Sequence, residues 1–406
     1  MTANPRPQLS VDVLFADAAA RIEASARALW PGLPVRLGAH LPSVTCYVQH
    51  VDVGGRALVA KVSYLGVSLV SLLRGVRGDW PTVRAAQAAY LTAPSALLER
   101  EATQLRLMGQ TPGLDVASVA GLRGGVLFTD RVAGPTLADL LAAAPKHSAE
   151  LLSSVVCTLR RLQSPALPRG ATVPQTPERG VGPVFARKMR GAAGQLYLRQ
   201  LGEERLPDDQ VREQTRLLLG MAVERLMRLR KLPQPRCPAL LHGDLKPEHL
   251  LFPHGPSARP VFLDPGLQYG SGCTDTAKLL SRTLLHLLAA PPAPGAGREI
   301  VEGIDAFVRD QVRGLVRAAV QDLWLRQLVT TWLMDTVNIT SSYLSAPAAL
   351  PLPAPAPGLL ERTLAVGALV ERGTALLDEQ QPMRRLWPPF LESVQAAVRS
   401  GAGAER

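Results

Sequence analysis

Two aspartates with the potential for joint chemistry lie in the window 240–266, LLHGDLKPEHLLFPHGPSARPVFLDPG. Asp244 precedes a short apolar run at 250–252, and Asp264 directly follows a second apolar run at 261–263. If the two runs pair as strands across the turn between them, both carboxylates lie close together at the same end of the hairpin. One carboxylate can then orient or deprotonate a hydroxyl while the other holds Mg²⁺, which is what metal-assisted phosphoryl transfer requires.

The residues around these aspartates form two motifs, HGDLKPEH at 242–249 and DPG at 264–266. The first resembles the catalytic loop, and the second the metal-binding loop, of the aminoglycoside phosphotransferase-like kinases, which share the protein-kinase-like fold. The resemblance implies that Asp244 is the catalytic base and that Asp264 is a ligand of Mg²⁺. It gives His242 a structural role, in which this residue ties the catalytic loop to the metal loop.

A lysine and a glutamate upstream extend the resemblance. Lys61 ends an apolar strand, as the phosphate-pairing lysine does in such kinases, and this implies a contact with the α- and β-phosphates of ATP. Its usual partner is a glutamate on the following helix, for which Glu101 fits best and Glu99 is the alternative. These two acids are two residues apart and face different sides of a helix, so only one of them can reach Lys61.

Two further segments complete the family's order of motifs. The strand at 126–132 resembles the hinge, which implies that the backbone near Asp130 and Val132 binds the adenine of ATP. Asp275 resembles the aspartate that supports the catalytic loop in this family. The likeness covers about residues 35–290. Because five motifs occur in the expected order, the resemblance implies a site for ATP and Mg²⁺.

Three features depart from the family's pattern. His249 stands where the family has asparagine as a second metal ligand, and Mg²⁺ prefers oxygen to imidazole nitrogen. We therefore predict a one-metal site, or a contact from His249 to Mg²⁺ through water. The loop at 38–43 has no GxGxxG motif, and a segment at 62–96 is inserted before the glutamate helix.

Lys246 is typical of Ser/Thr protein kinases, where the equivalent lysine neutralises the γ-phosphate.

The rest of the chain predicts the elements that position these residues. Helical periodicity at 8–29 precedes two β-rich runs, 44–53 and 56–64, which Gly54-Gly55 joins as a hairpin. The predicted fold class is α+β, a two-lobed protein-kinase-like fold with a small β-rich N-lobe and a larger, mainly helical C-lobe. The N-lobe takes residues 1–132, including the N-terminal helix, the sheet, the glutamate helix and the insertion. The C-lobe takes residues 133–406, with the catalytic loop, the metal loop and the C-terminal helices.

Composition narrows the class of protein. The chain has 406 residues, of which 47% are hydrophobic and 19% charged, and this excludes a mainly disordered chain. No window reaches the ~20 apolar residues of a membrane span, and no secretory signal is evident, so we expect a cytoplasmic protein without a membrane partner. The four cysteines are scattered, and the histidines near Asp244 (His242, His249 and His254) match no common zinc spacing.

The charge of the chain is positive and uneven. The formal net charge is +11, and residues 160–236 contain 16 Arg and Lys against 7 Asp and Glu. Such a basic surface favours an anionic partner and disfavours the polycationic aminoglycosides, although a solvated helical face is an alternative interpretation. Few aromatic residues interleave with these basic residues, which argues against a nucleic-acid partner.

Taken together, the sequence predicts an ATP-dependent phosphotransferase with a hydroxyl acceptor that is neutral or acidic. One acceptor class is a small molecule, such as a non-cationic antibiotic or a sugar. The other is Ser or Thr of a ribosomal precursor peptide, served by a partner lyase, because relatives in lanthipeptide and thioamide peptide pathways phosphorylate hydroxyls before elimination. We prefer the peptide because of the Arg-rich helices at 184–231, the insertion at 62–96 and Lys246. A non-catalytic pseudokinase that binds nucleotide is a different class, suggested by His249 and the missing glycine-rich motif.

Overall fold

The computed structural model describes residues 9–163, 173–231, 238–290, 293, 295–379 and 381–400. Cys237, both chain ends and parts of the basic stretch 160–236 lie outside the described residues. A sheet-rich part is followed by a larger helical part, as the sequence predicts. Within the described ranges, no helix is long and apolar enough to cross a membrane.

Most strands of the N-lobe belong to one antiparallel sheet. The first six strands are β1 (Val35–Leu41), β2 (Tyr47–Val53), β3 (Arg56–Val62), β4 (Asp115–Val116), β5 (Val119–Arg123) and β6 (Val126–Asp130). Five of them pair in the order β1-β2-β3-β6-β5. The predicted hairpin is confirmed, because Val53 pairs with Arg56 across Gly54 and Gly55. These glycines have φ of 59° and 88°, the positive values that a two-residue hairpin turn requires.

Helices cover both faces of this sheet. Helix α1 (Val11–Leu29) presents a stripe of buried residues spaced by four, Leu14, Ala18 and Ile22. This stripe shares an apolar cluster with Phe128 of β6, whereas helix α4 (Leu97–Gly109) shares a second cluster with Leu127. Neighbouring strand residues point to opposite faces, so α1 and α4 lie on opposite sides of the sheet. The insertion forms helices α2 (Leu69–Leu73) and α3 (Trp80–Leu91).

The C-lobe is a helical domain built around two buried helices. Its helices are α5 (Leu137–Ala143), α6 (Ser148–Leu159), α7 (Val181–Met189), α8 (Gly191–Arg199), α9 (Asp209–Leu229), α10 (Cys273–Ala289), α11 (Ala296–Arg313), α12 (Ala318–Leu344), α13 (Pro355–Glu361), α14 (Thr363–Asp378) and α15 (Met383–Ser400). Helices α10 and α12 pack together and bury most of their residues in the main apolar core. The periodic stretch 298–345 forms two helices, because the chain leaves α11 at Gly314 and starts α12 at Ala318.

Four short strands lie around the two aspartate loops. They are β7 (Ala239–Leu241), β8 (Leu250–Leu251), β9 (Val261–Phe262) and β10 (Gln268–Gly270). Strands β8 and β9 pair antiparallel through Leu250 and Phe262, as the sequence predicts. Strand β9 also pairs with β4, and β10 pairs with β7. These pairings hold the loop at 242–249 beside the loop at 264–267.

The two lobes share direct contacts away from these loops. Arg74 of the insertion donates to Gln200 Oε1 at 2.7 Å and to the carbonyl oxygen of Ser345 at 3.2 Å. Ala346 and Leu350, from the segment after α12, belong to the apolar cluster of the N-lobe. The insertion is therefore packed against the C-lobe.

Candidate active site

Lys61 lies near the end of strand β3 with its ammonium group buried between two carboxylates. Its Nζ donates to Glu101 Oε1 at 2.8 Å and forms an ion pair with Asp264 Oδ1. Burial alone would lower the pKa of Lys61, but the charges of Asp264 and Glu101 outweigh it and raise that pKa. Of the two candidate glutamates, Glu101 faces Lys61 and Glu99 is exposed. The lysine is therefore charged and held in place.

Asp264 occupies a backbone conformation that few residues adopt. Its φ is 50°, in the left-handed region that aspartate tolerates better than most residues and that is frequent at functional sites. Burial would raise the pKa of Asp264, but Lys61, His249 and Arg179 lower it well below its usual range. The side chain is therefore an ionised carboxylate, whose oxygens are of the kind that ligate Mg²⁺.

The catalytic loop and the metal loop are joined through their backbones. Gly266 donates its N–H to the carbonyl oxygen of His242 at 2.8 Å, and Gly243 packs so closely that a Cβ there would collide with the Gly266 carbonyl oxygen. The link that the resemblance assigned to His242 therefore runs through its main chain. Both ring nitrogens of His242 are buried and have no hydrogen-bond partner among the described residues.

Asp275 supports the catalytic loop from the first turn of helix α10. Its two carboxylate oxygens accept the N–H groups of His242 and Gly243, both at 2.7 Å. Burial raises the pKa of Asp275 to about 6, against the opposing effect of these two hydrogen bonds. The contacts agree with the supporting role that the resemblance implies for this residue.

Asp244 lies between two ammonium groups. Lys246 Nζ is 3.0 Å from Asp244 Oδ2, and the buried Lys278 forms an ion pair with Oδ1. Burial would raise the pKa of Asp244, but Lys246, Lys278 and Arg179 lower it well below its usual range. The carboxylate is therefore ionised at neutral pH and accepts hydrogen bonds without donating any.

His249 lies beside Asp264, where the family places its second metal ligand. Its Nδ1 is 3.7 Å from Asp264 Oδ2 and is buried without a hydrogen-bond partner among the described residues. Burial and Lys246 lower the pKa of His249, so its imidazole is neutral and retains a lone pair. No group of three or more His, Cys, Asp or Glu side chains is arranged for a metal in the described ranges. The Asp264 carboxylate suits a Mg²⁺ ion that takes its other ligands from phosphates and water, whereas the His249 nitrogen is a weaker donor for this cation.

The segments predicted to bind adenine and phosphates lie in the N-lobe. The N–H of Asp130 donates to Ser118 and its carboxylate pairs with Arg56 at 2.7 Å, so neither group is available for adenine. No hydrogen bond in the described part involves the backbone of Val132, which leaves Val132 as the better hinge contact. The predicted loop at 38–43 is mostly strand, because residues 38–41 belong to β1. There the ring of His40 lies 4.7 Å from Phe15 and 4.8 Å from Tyr47, against α1 and β2.

Arg179 is a site residue that sequence reasoning missed. Its guanidinium forms an ion pair with Glu101 Oε2 and donates to the carbonyl oxygens of Pro265, at 2.7 Å, and Asp264, at 3.3 Å. It thereby connects helix α4 to the metal loop. Arg179 and Glu101 are 78 residues apart, and no local pattern in the sequence relates them.

Lys278 is the second residue missed, although a signal existed. It lies three residues after Asp275 on helix α10, and residues at that spacing share a helix face. The chain has only six lysines (61, 146, 188, 231, 246 and 278), so a lysine inside an apolar helix is unusual here. Both observations point to Lys278 as a partner of the catalytic loop.

Many basic residues of the stretch 160–236 are engaged inside the molecule. Arg225 and Arg228 pair with Glu371 and Asp378 of helix α14. Arg205 donates to carbonyl oxygens of Ala346, Pro347 and Leu350. Part of the local charge excess is therefore engaged in contacts within the molecule, which weakens the argument from charge for an acidic partner.

Comparison with known proteins shows the fold. No protein-family model matches the chain, and no curated protein matches it by sequence. The structure of a microcompartment-associated aminopropanol kinase matches with 15% identity and a TM-score of 0.51, over 87% of this chain and 96% of that one. The aminoglycoside phosphotransferase APH(4)-Ia matches with 14% identity and a TM-score of 0.43, over 95% and 100%. An aminoglycoside-3'-phosphotransferase of type VIII matches with 22% identity and a TM-score of 0.42, over 77% and 99%. The chain therefore has the two-lobed, kinase-like α+β fold that its motifs predicted.

Proposed function

We propose that this protein is an ATP-dependent phosphotransferase that transfers the γ-phosphate to a hydroxyl group. The observation that carries the proposal is the convergence of Lys61, Asp264 and Asp244 between the lobes. Lys61 is held by Glu101 and contacts Asp264, and the loop of Asp264 is bonded to that of Asp244 through Gly266. Cation, metal ligand and base are the three groups that phosphoryl transfer requires at one site.

Each side chain has a definite task in this reaction. Lys61 binds phosphate oxygens, and Asp264 with His249 would hold Mg²⁺, which supplies further neutralisation of phosphate charge when bound. Asp244 orients the acceptor hydroxyl and takes its proton as the acceptor oxygen bonds to the γ-phosphorus. The bond from that phosphorus to the bridging oxygen breaks, and ADP leaves. Lys246 screens the charge that develops on the transferred group, so catalysis rests on positioning and electrostatics.

The acceptor is the finer part of the proposal. We propose a neutral or acidic hydroxyl compound, with Ser or Thr of a precursor peptide as the preferred class and a small molecule as the second. Lys246 favours the peptide, because a lysine at this position is typical of Ser/Thr protein kinases. The internal pairing of the arginines in helix α9 favours the small molecule, because it removes charge that an acidic peptide would contact.

The experiment is a phosphate-transfer assay with purified protein, γ-labelled ATP and Mg²⁺. Acceptors are offered in three sets: sugars, non-cationic antibiotics, and acidic peptides containing Ser and Thr. We expect label on one set only, and a rate of transfer by Asp244→Asn about 10³-fold below that of wild type, within the range that a general base contributes. Asp310→Asn, which changes an exposed aspartate of helix α11, is the matched control and keeps full activity. Label on a small molecule alone would remove the peptide acceptor.

A nucleotide-binding module without turnover is the second candidate. It is favoured by His249 in the place of asparagine and by the ion pair of Lys61 with Asp264, which occupies both groups. In that case wild type and Asp244→Ala bind Mg·ATP with equal affinity, and neither transfers phosphate to any acceptor. If wild type transfers phosphate and Asp244→Ala does not, this candidate is rejected.

A further inference from the structure

One turn of helix α10 contacts both the backbone and the side chain of the catalytic residue's loop. Asp275 accepts the N–H groups of His242 and Gly243 at 2.7 Å. Lys278, one turn later, forms an ion pair with Asp244 Oδ1 and donates to the carbonyl oxygen of Gly243 at 3.4 Å. The helix thus fixes the loop at the main chain and the carboxylate at the same time.

Lys278 is a fixed partner of Asp244. Its side chain is only 4% exposed, and its Nζ also donates to the carbonyl oxygen of Arg179 at 3.1 Å. Helix α10 buries almost all of its residues, so the stem of this lysine is packed inside the C-lobe. A buried ammonium needs such compensation, because an unpaired charge inside a protein is costly. Lys278 therefore stays on Oδ1 whatever occupies the cleft.

Lys246 is a more exposed partner of Asp244 than Lys278 is. Its side chain is 16% exposed, and its ammonium group contacts Asp244 Oδ2 at 3.0 Å and makes no other hydrogen bond or ion pair in the described part of the chain. A lysine stem of this length can swing its ammonium to a neighbouring anion. The two oxygens of Asp244 therefore differ: one is held from inside the C-lobe, and the other faces a movable group.

We propose that Lys278 is a positioning residue that holds Oδ1 of Asp244 and thereby reserves Oδ2 for the acceptor hydroxyl. This inference rests on the proposed phosphotransferase activity and names a residue that sets its geometry. When Lys246 turns to the phosphate, Asp244 keeps one ion pair and its orientation. Lys278 touches neither nucleotide nor acceptor in this arrangement, and acts through Asp244 alone.

The test is a double-mutant cycle in the full-length protein with Lys278→Met, Asp244→Asn and the combination. We expect Lys278→Met to lower kcat about 100-fold, the scale of a misplaced reacting group, and to leave the KM for ATP unchanged. In the Asp244→Asn background, Lys278→Met should lower kcat by less than about twofold, because the effects of residues that act as one unit are not additive. Lys188→Met removes a partly buried lysine that contacts Asn338 and Ser342, and serves as the matched control with unchanged kcat.

The outcomes separate this inference from the proposed function. If wild type transfers no phosphate, the proposed function fails. If wild type is active and the loss caused by Lys278→Met is equal in both backgrounds, Lys278 acts independently of Asp244 and the inference is wrong. Should Lys278→Met fail to fold in a thermal melt, Lys278→Gln replaces it, because glutamine retains an uncharged N–H donor at this position. That variant is expected to show the same lack of additivity with a smaller loss.

Discussion

The charged residues of the cleft pair with one another so that each group keeps the charge its chemistry needs. Burial alone would neutralise Lys61 and Asp264, but their mutual contact keeps both ionised. Asp244 is kept ionised in the same way by Lys246 and Lys278. Lys61, Asp244, Lys246 and Asp264 were readable from the sequence, because each lies in a short motif. Lys278 and Arg179 were missed, and the partners of Arg179 lie far away in the chain.

His249 gives a prediction about the metal. Replacing it by the amide in His249→Asn offers Mg²⁺ an oxygen in place of a nitrogen, and oxygen is the ligand that this cation prefers. We expect the Mg²⁺ concentration for half-maximal phosphate transfer to fall about tenfold, which corresponds to ~1.4 kcal/mol of metal binding. His254→Asn, at an exposed position on the following loop, is the control and leaves the Mg²⁺ requirement unchanged. A higher requirement in His249→Asn would show that the imidazole is the better ligand.

His242 gives a prediction about pH. Burial lowers the pKa of His242 to about 3, whereas a histidine in an unfolded chain titrates near ~6.5. Between these values the unfolded state binds the extra proton, so the free energy of unfolding falls as the pH falls. His242→Leu removes this contribution, and any effect of losing the unpaired ring nitrogens that does not depend on pH cancels when two pH values are compared. We expect the wild type, relative to the variant, to lose about 2 kcal/mol between pH 8 and pH 5.

Urea unfolding of both proteins at the two pH values measures this difference. Asp275, with its raised pKa of about 6, acts in the opposite direction: between about pH 4 and 6 the folded state holds its proton, so stability falls as the pH rises. That effect is common to wild type and variant and cancels in the comparison. If wild type and variant differ in their free energy of unfolding by the same amount at pH 8 and at pH 5, the His242 ring is protonated in the folded protein at pH 5.

At the scale of elements, a short segment before helix α7 connects the two lobes at the site. This segment, residues 173–180, is called the strap. Gln104 of helix α4 donates to Thr176 Oγ1 at 2.7 Å and accepts the N–H of Leu267 at 3.1 Å. Thr176 in turn donates its N–H to the Leu267 carbonyl oxygen at 3.0 Å. Helix α4, the strap and the metal loop are therefore joined by hydrogen bonds.

Strands and helices were more predictable than this strap. The hairpin at Gly54-Gly55 and the periodicity of α1 are local patterns, and both were correct in the structure. The strap has no hydrophobic period, and its contacts depend on residues about 70 to 90 positions away. Long-range polar contacts of this kind leave no signal in a single sequence.

Arg179→Met tests the strap. The change leaves Glu101 buried with one cation in place of two and breaks the donation to the Pro265 carbonyl, so we expect a loss of about 3–5 kcal/mol in the free energy of unfolding. The KM for ATP should rise, because helix α4 no longer holds its register with the metal loop. Arg100→Met removes the ion pair with Glu178 of the same strap, away from Lys61, and should lower stability without changing that KM. Equal KM values for ATP in Arg179→Met and Arg100→Met would contradict the role of Arg179 in holding helix α4 against the metal loop.

At the scale of the whole molecule, the lobes are joined by shared packing. Leu350, from the segment between helices α12 and α13, is 1% exposed within the apolar cluster of the N-lobe. Arg74 of the insertion contacts Ser345 just before it. The sequence did not predict this contact of the segment after α12 with the N-lobe cluster, because Pro- and Ala-rich connectors show no packing pattern.

Leu350→Ala tests this coupling. Truncation of a buried leucine costs about 2–5 kcal/mol, and we expect it to shift the helical signal and the tryptophan fluorescence to the same lower urea midpoint. Leu359→Ala, in the C-lobe core, is the control for a cavity in one lobe. Two separate transitions in Leu350→Ala would show that the lobes unfold independently.

The most direct measurement of the central claim is calorimetric binding of ADP in the presence of Mg²⁺. We expect a single site whose affinity for ADP falls about tenfold or more in Lys61→Met and in Asp264→Asn, since each change removes an interaction with charged phosphate or metal. Lys188→Met should bind like wild type. Equal affinity in wild type, Lys61→Met and Asp264→Asn would contradict a nucleotide site built by these residues.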